Sequence, residues 1–173
     1  MMLERAVLES PIGPLLLVAR GDALLGLEFH WQRERTGELE QRLARYVGAF
    51  ETREVGDPAG AATRLARYFD GDRFALDGQK VELLGTEFER SVWEQLLLIP
   101  TGATISYREL AHRVNRPKGP RAVGQANGRN PIALFVPCHR VIAADGTLGG
   151  YGGGLDRKRR LLELEGALAP SLV

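Results

Sequence analysis

One residue stands apart among those able to do covalent chemistry. The chain of 173 residues contains a single cysteine, Cys138, set in the run Val136-Pro137-Cys138-His139-Arg140-Val141. A lone cysteine is by default a small buried hydrophobe. Its neighbours argue for more: a proline before it restricts the backbone, and a histidine and an arginine after it favour thiolate over thiol. On an extended strand adjacent side chains face opposite ways, so His139 needs a bridging water or a tight turn to take the thiol proton. A papain-type hydrolase draws its base from far along the chain. Nothing around His30 or His112 marks either as such a base.

One cysteine allows no internal disulfide and suits a reducing compartment. Together with only three scattered histidines it also excludes a cysteine-rich zinc framework, so no metal is expected. The N-terminal Met-Met-Leu-Glu-Arg opens no extended apolar segment, and the longest apolar runs are too short to span a bilayer. No signal peptide and no membrane contact are expected, which makes the cytoplasm the expected compartment.

The net charge of +1 hides an asymmetry. Residues 1–85 carry 11 basic and 14 acidic side chains, whereas residues 86–173 carry 12 basic and 8 acidic. From Ser106 to Arg140 seven basic residues face one acid, Glu109. Such a run is either a solvated face or a phosphate-binding surface.

The elements that must hold these residues are legible in outline. Leu3 to Glu9, Leu15 to Arg20 and Ala23 to Phe29 read as a three-stranded meander, its first turn marked by Ser10-Pro11-Ile12-Gly13-Pro14. Residues 37–48 and 60–70 carry helical spacing. The polar stretch Asp77-Gly78-Gln79-Lys80 reads as a linker. Thr86 with Glu89, and Ser106 with Glu109, each have capping-box spacing. The first opens a helix through Val92, Trp93 and Leu96, and the second a short one through Leu110 and Ala111. After the turn Asn115-Arg116-Pro117-Lys118-Gly119, Pro120 opens another short helix, giving the pattern of a basic helix-turn-helix. That helix has an unusually small face, with Ala122, Gly124, Ala126 and Gly128. Small residues there serve either close packing or close approach to a narrow DNA groove.

Pro137-Cys138-His139-Arg140-Val141 resembles the active-site signature of the O6-alkylguanine-DNA alkyltransferases (methylated-DNA–protein-cysteine methyltransferases). The likeness extends through Val92-Trp93, Ile99-Pro100-Thr101-Gly102, Ser106-Tyr107, Arg121-Ala122-Val123-Gly124, Asn130-Pro131, Gly150-Tyr151-Gly152-Gly153-Gly154 and Leu161-Leu162. It covers residues 86–166 in register and the N-terminal half only loosely.

The resemblance implies direct, irreversible, stoichiometric transfer of the O6-alkyl group of guanine in double-stranded DNA to Cys138, with O4-alkylthymine as a further substrate. It implies a single-turnover suicide enzyme acting as a monomer from the minor groove, with no cofactor. His139 becomes the base, acting through a water, and Glu165 orients it. Asn130 buttresses the loop, and Tyr107 faces the flipped base. Arg121 fills the gap in the duplex, with Ala122, Gln125, Ala126, Ser106 and Arg129 completing the DNA surface. Val141, Tyr151, Gly152 and Gly153 line the base pocket, with the glycines and Ala133 leaving room for larger groups.

Two other readings compete. A non-catalytic lesion-binding relative would lack the cysteine, and a helix-turn-helix regulator gives Cys138 no task. The expected fold is an α/β N-terminal domain (1–85) with a small antiparallel sheet. A mostly helical C-terminal domain (86–173) containing the helix-turn-helix follows.

Overall fold

The computed structural model describes residues 1–30, 37–116 and 119–170, so Pro117 and Lys118 of the expected turn lie outside the described residues. Two compact units emerge, Met1–Leu84 with Pro131–Phe135, and Gly85–Asn130 with Val136–Val173.

In the first unit, β1 (Met2–Leu8), β2 (Leu15–Arg20) and β3 (Ala23–Phe29) form the antiparallel meander that the alternating apolar runs require. Leu16 and Val18 of β2 pack with Leu39 and Leu43 of helix α1 (Glu38–Val47). The sheet is not purely antiparallel. Helix α1 carries the chain back, so β4 (Glu51–Glu54) joins the edge beside β1 in parallel, as a crossover connection dictates. Helix α2 (Ala61–Phe69) buries Leu65 and Tyr68.

Two further segments depart from expectation. The presumed linker is fastened to the sheet: Leu24 donates its N–H to the Lys80 carbonyl at 2.9 Å, and Glu82 donates to Leu24 at 3.0 Å. Likewise the Pro131–Phe135 segment lies with the first unit although it follows residue 86. Leu27 of the edge strand β3 donates to Pro131 at 2.9 Å, and Ala133 donates to Leu27 at 3.0 Å. An edge strand's unpaired backbone groups capture such a segment without any side-chain signal.

The second unit begins where Gly85 admits Trp93, since a Cβ there would sit 2.4 Å from the indole ring. Helix α3 (Glu87–Leu96) has the full capping box, with Glu89 N–H donating to Thr86 Oγ1 at 3.2 Å and Thr86 N–H to Glu89 Oε2 at 2.9 Å. The second box is only half made. Glu109 N–H donates to Ser106 Oγ at 3.0 Å, but the Glu109 carboxylate instead accepts from Arg113 Nη2 at 2.6 Å, four residues along α4 (Tyr107–Arg113). Helix α5 (Pro120–Gly128) packs against α3 and α4, and Trp93 Nε1 donates to its Ala126 carbonyl at 2.8 Å. The short strands β5 (Ile105–Ser106) and β6 (Val141–Ile142) pair in parallel. Helix α6 (Leu155–Leu164) closes the unit on Leu161 and Leu162. No helix among the described residues is long and apolar enough to cross a membrane.

Candidate active site

Cys138 does not sit on a strand. Cys138–Arg140 make one turn of 3-10 helix between Pro137 and β6, closed by Cys138 N–H to Val136 O (2.8 Å) and Arg140 N–H to Pro137 O (3.0 Å). Three residues per turn set neighbouring side chains about 120° apart, in place of the opposed faces of a strand. This is the tight-turn alternative of the sequence reading. The turn is held from two directions. Asn130 Nδ2 donates to the Val136 carbonyl at 2.7 Å, and the buried Asn127 of α5 donates to the Cys138 carbonyl at 3.3 Å.

The thiol is buried, with 7% of its residue surface exposed. Burial pushes its pKa up from the ordinary value, and a side-chain hydrogen bond from Asn130 and the charge of Lys158 only partly oppose it. At neutral pH the resting group is therefore a thiol that needs a base.

His139 is fully buried, and its Nε2 lies 2.8 Å from Glu165 Oε1. Glu165 follows the last turn of α6 and is also fully buried. Burial alone would raise its pKa, but His139 and Arg140 outweigh that and hold it at about 2. An ionised carboxylate can only accept, so Nε2 carries an imidazole hydrogen, which in the neutral ring leaves the lone pair on Nδ1. Nδ1 is buried and has no hydrogen-bond partner among the described residues. A base is thus poised one residue from a thiol.

Arg140 completes the group. It donates to both Glu165 oxygens (Nε to Oε2 at 2.9 Å, Nη2 to Oε1 at 3.0 Å), to the Ile99 carbonyl at 2.7 Å and to Thr101 Oγ1 at 3.1 Å. The Ile99-Pro100-Thr101-Gly102 run after α3 thus holds a guanidinium that holds the carboxylate.

Tyr107 opens α4 half-buried, and burial pushes its hydroxyl pKa up. The hydroxyl donates a long bond to the Gly150 carbonyl at 3.4 Å. Of the glycine-rich loop it is Gly149 that presses on this ring: φ is +70°, and a Cβ would lie 3.1 Å from Tyr107 Cε2. Val141 is fully buried in β6, Gly153 is buried, Tyr151 is half-buried and Gly152 is exposed.

On α5 the exposed residues are Pro120, Arg121, Ala122, Gln125, Gly128 and, just beyond it, Arg129. Ala126 is a correction, because it is 2% exposed, points inward and cannot lie against a groove. Arg129 lies 3.6 Å from Glu89 in an ion pair, and the Ser106 hydroxyl caps α4.

Sequence reasoning missed Lys158 and Asn127. Lys158 belongs to the charge run Asp156–Arg160, which reads as a solvated face. Its spacing three and four residues before Leu161 and Leu162 was the available sign that it shares their buried side.

Comparison with known proteins agrees along the whole chain. Residues 3–83 match the 6-O-methylguanine DNA methyltransferase ribonuclease-like domain, and residues 87–167 match the DNA binding domain of the same family. A methylated-DNA–protein-cysteine methyltransferase of Mycobacterium tuberculosis is 45% identical over 170 residues, covering 98% of this chain and 96% of its own. One from Salmonella typhimurium is 42% identical over 160 residues, covering 92% and 93%. A crystal structure of Mycobacterium tuberculosis OGT in complex with DNA superposes with a TM-score of 0.76 at 43% identity, over 99% of this chain and 96% of that one.

The site thus brings a buried thiol and, one residue along, a buried imidazole bonded to a carboxylate. The chain belongs to the methylated-DNA–protein-cysteine methyltransferase family.

Proposed function

We propose that this protein repairs alkylated DNA by moving the O6-alkyl group of guanine, and the O4-alkyl group of thymine, onto Cys138. The observation that carries the reading is the unpartnered His139 Nδ1 one residue along from the buried thiol, with Nε2 bound to ionised Glu165. Through one water Nδ1 takes the thiol proton, and the thiolate attacks the alkyl carbon. The carbon–oxygen bond breaks with its electron pair left on the guanine oxygen, while the proton stays on an imidazolium that Glu165 stabilises. A hydrogen bond from Tyr107 to the base ring offsets the charge that develops there. The product is a thioether that water does not cleave, so each molecule acts once.

An alkyl group inside a stacked duplex is out of the thiol's reach, so the nucleotide must be extruded at a cost of a few kcal/mol. The exposed face of α5 suits the minor groove. Gly128 meets nothing within 4 Å and Gly124 makes only ordinary contact with Tyr107, so packing demands neither glycine. The reading is of a monomer working in the cytoplasm, where a single free thiol stays reduced. The Val141, Tyr151, Gly152 and Gly153 stretch would receive the base.

The reading is tested by mixing the protein with duplex carrying O6-methylguanine and weighing it intact. One methyl group per molecule, and no further turnover at any DNA excess, is the expected result. An unchanged mass or repeated turnover overturns it.

Arg121 supplies a second check. Exposed at the start of α5, it is the residue to fill the vacated stack. Arg121→Ala should slow transfer about tenfold or more in duplex, about 1.4 kcal/mol of the extrusion cost, and far less in single strands. Equal slowing on both substrates would remove Arg121 from that role.

A further inference from the structure

Lys158 is a buried cation that the transfer reaction as described does not use. It is fully buried on the second turn of α6. A lysine ammonium has three N–H donors and no acceptor. Here all three are taken by backbone carbonyls, those of Val141 (2.7 Å), Leu148 and Gly150 (3.1 Å). These carbonyls belong to the two legs of one loop. Between them the chain turns back on itself, with Ala143 N–H donating to Thr147 O at 2.9 Å and Gly146 N–H to Ala143 O at 3.0 Å. A single ammonium therefore ties the legs of residues 141–150 together at their base. The tied end is the part that meets Tyr107: Gly149 abuts its ring and Gly150 accepts its hydroxyl. The ammonium itself lies 5.9 Å from the centre of that ring.

The charge is as telling as the clamp. Buried cations normally sit beside a carboxylate. No ion pair among the described residues includes Lys158. Burial lowers its pKa to about 8, and the one charge that opposes this is a thiolate at Cys138. The ammonium is bonded at 2.7 Å to the carbonyl of Val141, three residues along from Cys138, so a thiolate formed at Cys138, the step that attack on an alkyl group requires, would supply an anion to this cation.

Resting on the transfer reading above, we infer that Lys158 is a positioning residue of that reaction. It clamps the 141–150 loop against Tyr107 and sets a positive charge toward which the Cys138 thiolate forms. Tyr107, the adjacent His139 and the Arg140–Glu165 pair bonded to it are the other ionisable groups around the Cys138 turn, and all stay in place in the Lys158 variants below.

The clamp and the charge separate with two substitutions. Lys158→Met keeps the length and apolar stem but removes donors and charge. Lys158→Arg keeps the charge, but its planar fork cannot aim three bonds at carbonyls gathered round one point. The first measurement uses no DNA: the rate at which iodoacetamide alkylates Cys138 is followed against pH. In Lys158→Met the midpoint should move up by about one unit, a tenfold loss of thiolate at fixed pH, whereas in Lys158→Arg it should stay. The second is single-turnover methyl transfer from O6-methylguanine duplex, with affinity for the same DNA measured alongside. Transfer should fall at least about tenfold in both variants, a loss of about 1.4 kcal/mol of transition-state stabilisation, while affinity holds.

An unshifted thiol titration in Lys158→Met sinks the electrostatic part, and wild-type transfer in Lys158→Arg sinks the clamp. Should Lys158→Met fail to fold by circular dichroism, Lys158→Arg alone still decides the clamp. Lys158→Gln, which keeps N–H donors without the charge, then decides the electrostatic part by the same thiol titration. Because iodoacetamide needs no DNA, a protein that fails to take methyl from DNA overturns the transfer reading without touching this result.

Discussion

Cys138→Ala should bind methylated duplex as tightly as the wild type and gain no mass from it. The whole reaction rests on one sulfur. Displacement at a saturated carbon needs a polarisable nucleophile, and no second thiol exists in the chain to replace it. His139 Nδ1 is the nearest alternative, but it is buried within the unit and its ring is pinned by Glu165. Affinity should survive because the exposed face of α5 lies on the far side of that helix from Asn127, the residue that reaches the Cys138 turn. Cys138→Ser should behave likewise, since an unactivated hydroxyl stays protonated at neutral pH. Intact mass and a DNA titration on the same preparation decide the matter. Methyl uptake by either variant would move the acceptor elsewhere.

Glu165→Gln should lose both rate and stability, and the stability loss should depend on pH. The carboxylate accepts one bond from His139 and two from Arg140, all buried. An amide there turns an NH2 group toward donors, and it leaves Arg140 as a buried cation with no full anion. Breaking such a pair costs about 3–5 kcal/mol. The acid limb gives an independent measure. The carboxyl titrates at about 2 in the fold against 4.5 normally. On acidification the unfolded chain takes the proton first, so the stabilisation is complete above pH 4.5 and disappears as pH falls toward 2. At about 1.4 kcal/mol per unit this is on the order of 3 kcal/mol. Urea unfolding of the wild type should show that loss across the window, and Glu165→Gln should show little of it. Transfer should slow about a hundredfold, the lower range of what a positioned base contributes, with DNA affinity unchanged. Parallel acid profiles for the two proteins would mean that Glu165 is not the stabilising anion.

The parts of this molecule that were legible beforehand are those written locally. The three strands of the meander show as apolar runs between glycine and proline, and the Thr86 box needs only four residues to read. The Cys138 run is itself local, whereas Glu165, which bonds His139 from the end of α6, was named only through the family resemblance. What escaped depends on distant partners. Strand β4 is Glu51-Thr52-Arg53-Glu54, exposed throughout, with no apolar alternation to betray it. It forms because β1 offers a free edge and Arg53 pairs with Glu4. The half-made box at Ser106 failed because Arg113 competed for Glu109. Lys158 was hidden because a buried lysine and a surface lysine are spelled alike, and only the carbonyls that surround it tell them apart.

Helix α5 is fastened entirely from behind. Trp93 of α3 adds a donor to the Ala126 carbonyl in its last turn, which otherwise holds only the Arg129 N–H at 3.2 Å, and Asn127 reaches back to the Cys138 turn. Val123, Ala126 and Asn127 thus carry the structural obligations, and Arg121, Ala122, Gln125 and Gly128 carry none. On the DNA-binding role proposed for it, the outward surface can therefore be rewritten residue by residue, in nature or at the bench, to change which duplexes the protein visits. The cost of each revision falls on recognition and leaves the nucleophile's mounting undisturbed.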